Sequence, residues 1–361
     1  MPRDDAGHRP ARRRGLRERG EQLGRVAPGA TGHRREELLG EHDQFGHAAI
    51  VRDVTDNPAT TVVVVTWRGA PHVTACLDAL AAQTRPHRTL VVDNASDDGT
   101  AALLAAHPSR PDVLRLPRNT GYAGALAVAA GKVGTPFMAW LNDDAEPAPD
   151  WLATLEDTLE KAPLAAAATS LLVRPDGGTQ SAGVRLTADG HGADVTEPAA
   201  EVFGFCGGAA LLRTDALKSV HGVPAGFFCY YEDTDTAWRL RLAGWDVVAA
   251  PDARVRHAHG VSSELGSPLF HRWNERNRLL MLLRCAPRDV AVKQLIRFAA
   301  LTAVLPLRPG RPSAANFRFG LRCRVLAEVA LRSPAALRMR RKITRRAALG
   351  RGAVWEAWAG L

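Results

Sequence analysis

The chain is poor in cysteine and in aromatic side chains, with five Cys in 361 residues and Phe, Trp and Tyr together at 6%. Cys76, Cys206, Cys229, Cys285 and Cys323 are scattered, odd in number and form no C-x-x-C pair. That argues against a disulfide frame or a cysteine zinc site and for a reducing compartment. The stretch after Met1 lacks the apolar core of a secretory signal. The longest apolar window near the end, Phe298 to Leu307, reads as too short to span a bilayer and is flanked by Arg297 and Arg308. A cytoplasmic protein is expected, soluble or peripheral on the inner face of the plasma membrane. No G-x-G-x-x-G turn follows the first apolar run, Val62 to Gly69, which disfavours a dinucleotide-binding oxidoreductase.

Charge is present but unevenly placed. The formal net charge is +9, yet residues 286–361 hold 16 Lys/Arg against 3 Asp/Glu, so the rest of the chain is slightly acidic. Nucleic acid or anionic lipid would suit such a tail. Its basic runs lack interleaved aromatics and any reader motif, so nucleic acid is not expected. Across 290–346, Val292–Phe298, Phe317–Leu326 and Leu337–Arg346 mix apolar helical spacing with Arg. These are basic amphipathic helices, open to two readings: an anionic membrane surface, or a helical subdomain packed on the rest of the chain. Residues 1–58 read as a disordered Arg-rich extension with a short helix near Arg34–Leu39.

Order is expected from Thr60–Trp67, a β-branched run typical of a strand buried on both faces. A helix over Pro71–Gln83, a strand over Thr89–Asp93 and a capping turn over Asn94–Thr100 follow. Helix Ala101–His107, strand Val113–Leu116, loop Arg118–Gly124, helix Ala125–Gly131 and strand Phe137–Leu141 come next. This alternation predicts an α/β fold with a mostly parallel central sheet. Further on, the pattern gives helix Trp151–Lys161 and strand Ala165–Val173, then a hairpin-like or mobile 179–201. A glycine-bearing strand, Phe203–Arg213, precedes helix Glu232–Gly244 and strand Trp245–Ala250.

The chemistry concentrates at strand ends. Phe137–Leu141 runs into Asn142-Asp143-Asp144, and adjacent carboxylates at the end of an apolar strand need a cation or donors opposite. A divalent Mg²⁺ or Mn²⁺ ion bridging to a diphosphate would meet that need, and an ordinary Asp N-cap is the plainer alternative. Asp93 closes an apolar strand where a ligand's base or ribose would lie, whereas Asp97 and Asp98 read as turn and cap residues. Glu232-Asp233 is either a charged helix start or part of a crevice. His257 and His259 alternate, so on a strand they share one side, and His257 in the company of Asp144 reads as a metal ligand.

Val62–Trp67, Val91–Thr100, Arg118–Gly124, Leu141–Pro147, Tyr230–Arg239 and Arg254–His257, in that order, resemble a family 2 glycosyltransferase of the bacterial rhamnosyltransferase-like and galactofuranosyltransferase-like branch. Coverage runs from Thr60 to Arg284, and Asn274–Arg278 looks like the family's segment after the catalytic domain. The resemblance implies a GT-A sandwich over 59–285, with a nucleotide-binding half (59–147) and an acceptor-binding half (148–285), then the basic helical tail 286–361. It assigns Thr66 and Asp93 to the nucleotide base or ribose. Asn119, Gly121, Asn142 and Asp143 fall to the donor, and Asp144 with His257 to a divalent metal (Mn²⁺ or Mg²⁺). Asp233 takes the base role with Glu232 in support, and Trp238 and Arg239 fall to the acceptor. Asn142 stands where the family's Asp-x-Asp motif has its first Asp. The implied activity is inverting transfer from a nucleotide-sugar donor, dTDP-rhamnose or a UDP-sugar, to a glycan or polyprenyl-linked acceptor. A non-catalytic nucleotide-sugar-binding relative is the alternative.

Overall fold

The structure, a computed structural model, describes residues 58–199, 201–258, 266–307 and 313–360. The expected extension up to residue 57, with its Arg34–Leu39 helix, and His259 lie outside the described residues. The first half is a strand–helix alternation: β1 (Thr60–Thr66), α1 (Val73–Ala81), β2 (Arg88–Asp93), α2 (Thr100–Ala106), β3 (Asp112–Arg115), α3 (Gly121–Ala130) and β4 (Phe137–Asn142). These four strands are mutually parallel in the order β3-β2-β1-β4. Every residue of β1 is buried, as its β-branched composition demands. Val62 and Val64 enter the core on one face of the sheet, and Val63 and Val65 the core on the other. Each such side chain contributes roughly 1.5–3 kcal/mol on burial. Register then places Thr66 opposite Asp93 and Val65 opposite Asn142, so three polar strand ends share one edge.

After β4 come β5 (Ala145–Pro147), α4 (Trp151–Lys161), β6 (Ala165–Val173), β7 (Thr179–Ser181), β8 (Val184–Leu186), β9 (Gly192–Asp194), β10 (Ala209–Arg213), α5 (Thr214–Ser219), α6 (Glu232–Leu242) and β11 (Asp246–His257). The sheet continues β4-β10-β6-β11-β5, with β10 antiparallel to both of its neighbours. The parallel pattern is therefore unbroken only in the first half; β6 and β11 are parallel again beyond β10. Strands β8 and β9 form the hairpin expected within 179–201. Helix α3 starts four residues earlier than expected, at Gly121, where φ is +74°. The strand expected to end at Ala250 runs on to His257 across an irregularity between Ala250 and Arg254.

The tail forms α7 (Pro268–Cys285), α8 (Arg288–Val304), α9 (Phe319–Arg346) and α10 (Arg351–Trp358). Of the two readings of the tail, packing on the rest of the chain describes α9 and α10. Helix α9 lies along α7, with Arg322 buried and donating to Phe298 O and Thr302 Oγ1. Arg340 donates to Leu283 O and Ala286 O. Helix α10 stacks Trp355 on Trp238 at 5.9 Å and sets Trp358 against Phe203 and Arg241. Helix α8 differs, since Val292 is 52% and Ile296 63% exposed. Arg288–Leu307, with mean hydropathy 1.6, is by length and composition long enough to cross a membrane, and 28% of its apolar window is buried. That corrects the sequence expectation, because the helix begins ten residues before Phe298. Length and composition alone do not set its location.

Because Trp355 covers Trp238, Trp355→Ala is expected to cost about 2 kcal/mol, less than truncation of a fully buried Trp. Thermal unfolding should show a single transition lowered by several degrees. An unchanged midpoint would mean that α10 is not part of the cooperative unit.

Candidate active site

At the carboxyl ends of β1 and β4, Thr66 Oγ1 donates to Asp143 Oδ2 at 2.5 Å. Burial pushes the Asp143 carboxyl up to about 7, with the Thr66 bond pulling the other way. The loop after β1 passes so close that a Cβ on Gly69 would lie 2.1 Å from Thr66 Oγ1 and 2.4 Å from Asp143 Oδ2. Asp93 is fully buried and accepts from Ser96 N at 2.8 Å and Arg115 Nη1 at 2.5 Å. Asp98 accepts from Thr100 N and Oγ1, as a cap does, and Asp97 holds Arg68. Asn119 Oδ1 accepts from Gly121 N, and a Cβ on Gly121 would meet Phe228 O at 2.1 Å. Both residues shape the entry to α3.

Pairing of β5 with β11 sets His257 opposite Ala145, next to Asp144. His257 Nε2 lies 3.0 Å from Asp144 Oδ1 and 3.1 Å from Asn142 Nδ2, while Nδ1 lies 2.9 Å from Gln180 Oε1. Gln180 is buried on β7 and had no sequence signal. Its carbonyl oxygen can only accept, so the Nδ1 proton points to it and Nε2 faces Asp144 through a proton or a shared cation. Burial lifts the Asp144 carboxyl, but the His257 hydrogen bond and charge outweigh that and hold it below its ordinary value. Among the described residues no three or more His, Cys, Asp or Glu gather as a metal cage. An Asp–His pair suits an ion that completes its shell with phosphate oxygens and water.

The second acidic pair sits at the start of α6. The loop before it holds Phe228, Tyr230 and Tyr231 at φ of +70°, +71° and +68°, each costing on the order of 1–3 kcal/mol in a non-glycine residue. Asp233 Oδ2 accepts from Gly207 N at 3.0 Å, and Oδ1 from Thr234 N and Oγ1. Burial raises the Asp233 carboxyl against the pull of those donors. Glu232 is buried, and its Oε2 has no hydrogen-bond partner among the described residues. Burial, then the neighbouring Asp233, push Glu232 up to about 8.

Two glycines join these ends. Gly208 O accepts from Asn142 N at 3.0 Å, while the Gly207 amide is the one on Asp233 and Tyr122 Oη donates to Gly207 O at 2.6 Å. A Cβ would stand 3.3 Å from Asp233 Oδ2 at Gly207 and 3.5 Å from Asn142 Nδ2 at Gly208. Asn142, which reaches His257, and Asp233 thus bond to consecutive backbone residues, Gly208 and Gly207.

Trp238 and Arg239 are not at this cleft. Both are buried, Trp238 under Trp355 and Arg239 in an ion pair with Asp235 at 2.7 Å. The acceptor-binding expectation for these two is therefore corrected. Helix α6 is buried along almost its whole length under the tail, so its later residues present no surface to an acceptor. Tyr122 and Gln180 were missed; the glycine pair was flagged by its doubling beside an apolar strand.

Residues 61–220 match the family described as Glycosyl transferase family 2. The chain is 31% identical over 245 residues to the N-acetylglucosaminyl-diphospho-decaprenol L-rhamnosyltransferase of Mycobacterium tuberculosis, covering 58% of this chain and 79% of that protein. Among solved structures it resembles GalNAc-T7 with UDP, GalNAc and Mn²⁺ (TM-score 0.54, 14% identity, covering 77% of this chain and 57% of that one). It also resembles S. aureus TarS 1-349 in complex with UDP (TM-score 0.50, 15% identity, covering 82% and 88%). These structural likenesses bear on the fold, which is of the GT-A kind. The chain belongs to glycosyltransferase family 2, in its rhamnosyltransferase-like branch, and is a glycosyltransferase.

Glu232 makes stability depend on pH with a definite sign. Its carboxyl has an ordinary value of 4.5 and sits at about 8 in the fold. Between those values the folded chain keeps a proton that the unfolded chain has lost, so stability falls as pH rises from 4.5 to 8. Glu232→Gln lacks this dependence. Denaturant unfolding should show the variant gaining on the wild type by on the order of 3 kcal/mol between pH 5 and pH 8. A constant difference would mean that Glu232 is ionised in the fold.

Proposed function

We propose that the chain is an inverting transferase that moves a sugar from a nucleotide-diphosphate donor to a hydroxyl of a lipid-linked glycan. The observation that carries this reading is that Asn142, which reaches the Asp144–His257 pair through His257, and the Asp233 carboxylate bond to consecutive backbone residues, Gly208 and Gly207. The likeness to the mycobacterial enzyme supports rhamnose as the transferred sugar and an N-acetylglucosaminyl-diphospho-polyprenol as the acceptor, and the family resemblance implies dTDP-rhamnose as the donor. A UDP-sugar is the competing donor.

In this reading Thr66, Asp93, Asn119, Gly121, Asn142 and Asp143 form the donor side. Asp93 acts by orienting Arg115 and Ser96, and Asn119 and Gly121 by shaping the turn. A divalent ion, Mn²⁺ or Mg²⁺, would be held by Asp144 and His257 and would offset charge on the leaving diphosphate. Asp233 takes the proton of the acceptor hydroxyl as its oxygen attacks the anomeric carbon and the bond to the diphosphate breaks. A carboxylate whose proton affinity is raised by burial is the better base for that step. One displacement with one base inverts the anomeric centre. Glu232, held protonated, keeps a second negative charge away from the attacking oxygen. Exposed Val292 and Ile296 beside Lys293 on α8 suit contact with an anionic inner leaflet, where a polyprenyl acceptor would lie. A cytoplasmic location follows from that reading.

Asp233→Asn should bind Mn²⁺ and dTDP within about twofold of wild type but lose roughly 10²–10⁴ in turnover. Near wild-type transfer would remove Asp233 from the base role. Asp144→Ala, and Gln180→Leu acting through His257, should weaken metal-dependent nucleotide binding by roughly 10–100-fold in calorimetry. Unchanged affinity in Asp144→Ala would remove the metal assignment.

A further inference from the structure

The left-handed loop that delivers Glu232 and Asp233 is held by a residue outside both acidic pairs. Phe228 is the centre of a tight turn in which Cys229 N donates to Phe227 O at 2.9 Å, a γ-turn of the rare positive-φ kind. Such a turn, followed closely by two more left-handed residues, does not persist unless its surroundings over-determine it. Asn277, fully buried on α7, supplies that constraint. Its Nδ2 donates to Phe227 O at 2.9 Å and to Cys229 O and Tyr230 O at 2.8 Å each. One amide nitrogen thus spreads two hydrogens over three loop carbonyls.

The orientation of that amide is set independently. Arg276 Nε donates to Asn277 Oδ1 at 2.9 Å, which turns Nδ2 towards the loop. Arg276 Nη2 adds a bond to Phe227 O at 2.6 Å and Nη1 pairs with Glu328 of α9. From the other side, Ala123 N donates to Phe228 O at 3.0 Å. Every carbonyl from Phe227 to Tyr231 therefore has a donor, since Tyr231 O receives Asp235 N.

We propose that Asn277 is a positioning residue for sugar transfer, clamping the left-handed loop so that Asp233 stays against Gly207 and open to the acceptor hydroxyl. The proposal rests on the reading of Asp233 as the base. It separates the two ends of the cleft: the clamp governs the base end, while Asp144, in the turn between β4 and β5, and His257, at the end of β11, take none of its hydrogen bonds. Sequence supports the same division, for Asn277 lies in the Asn274–Arg278 segment, which no role at the cleft had absorbed.

The test is Asn277→Asp, which keeps the size and shape but turns carboxylate oxygens on three carbonyls. A misplacement of about 1 Å at a reacting group costs roughly 10²-fold, so kcat for dTDP-rhamnose with an N-acetylglucosaminyl-diphospho-polyprenol should fall by that order. Calorimetric affinity for Mn²⁺ with dTDP should stay within about twofold, and the acidic limb of the pH–kcat profile should move as Asp233 leaves Gly207 and Thr234. Hydrogen exchange needs no substrate and should accelerate at least about tenfold in the peptide 227–234, with 137–144 unchanged. If the charge prevents folding, Asn277→Ser, which keeps one donor, carries the same readings at smaller size. Wild-type kcat with unchanged exchange would overturn the proposal. So would a loss of Mn²⁺–dTDP affinity in step with kcat, which marks a merely structural role. Asp233→Asn serves as the control: if it turns over normally the base reading fails by itself, and the exchange result still decides whether Asn277 holds the loop.

Discussion

Two consecutive glycines carry the constraint on which the site depends. Gly207 and Gly208 place a backbone amide on Asp233 and a backbone carbonyl on Asn142 with no side chain between them. The two acidic ends of the cleft come from distant parts of the chain, one from the turn after β4 and the other from the start of α6. Each end carries carboxylates that are costly to bury unless paired or protonated. A Cβ at Gly207 would crowd Asp233 Oδ2. The strip is therefore narrow by necessity, and it brings together a pair suited to a cation and a base suited to a hydroxyl.

Buried charge is handled in opposite ways in the scaffold and at the cleft. In the scaffold, carboxylates meet guanidinium groups: Asp235 is flanked by Arg239 and Arg284, and Glu156 lies 3.4 Å from Arg85. At the cleft, Glu232 Oε2 has no partner among the described residues and Asp143 has a hydroxyl in place of a cation, and both are pushed to hold protons near neutral pH. Burial raises the Asp143, Glu232 and Asp233 carboxyls alike, and perturbed carboxyls of this kind recur at functional sites. The tail belongs to the same economy. By stacking Trp355 on Trp238 and lining α9 along α7, it buries α6 and supports the loop ahead of Asp233. A cut after Cys285 would therefore expose the far side of the helix that bears Asp233.

Much of the fold was legible because strands buried on both faces leave an uninterrupted β-branched run, as in Val62–Val65, and because carboxylates at the end of such a run demand an explanation. Asp144 was read that way and His257 from its company with Asp144, whereas the base role of Asp233 came from the family likeness alone. What escaped depends on contacts distant in sequence. The acceptor role of Trp238 and Arg239 came from the resemblance alone; the helix whose Trp355 stacks on Trp238 begins more than a hundred residues later, at Arg351, and Arg239 is held by Asp235 and Val220 O. Gln180 sits in a short strand with no motif, and only its bond to His257 Nδ1 identifies it. Gly121 read as a loop residue because glycine seldom opens a helix, yet the close approach of Phe228 O leaves no room for a side chain there.

The measurement that bears most directly on the cleft as a metal-assisted nucleotide-sugar site is calorimetric titration of the wild-type chain with UDP, dTDP and GDP, each with and without Mn²⁺. The account predicts that one of the three binds well only when the metal is present, because the proposed site, among the described residues, offers Asp144 and His257 and would leave the remaining positions to phosphate oxygens and water. Binding of every nucleotide with the same affinity in the presence and absence of Mn²⁺, or of none in either condition, would contradict it.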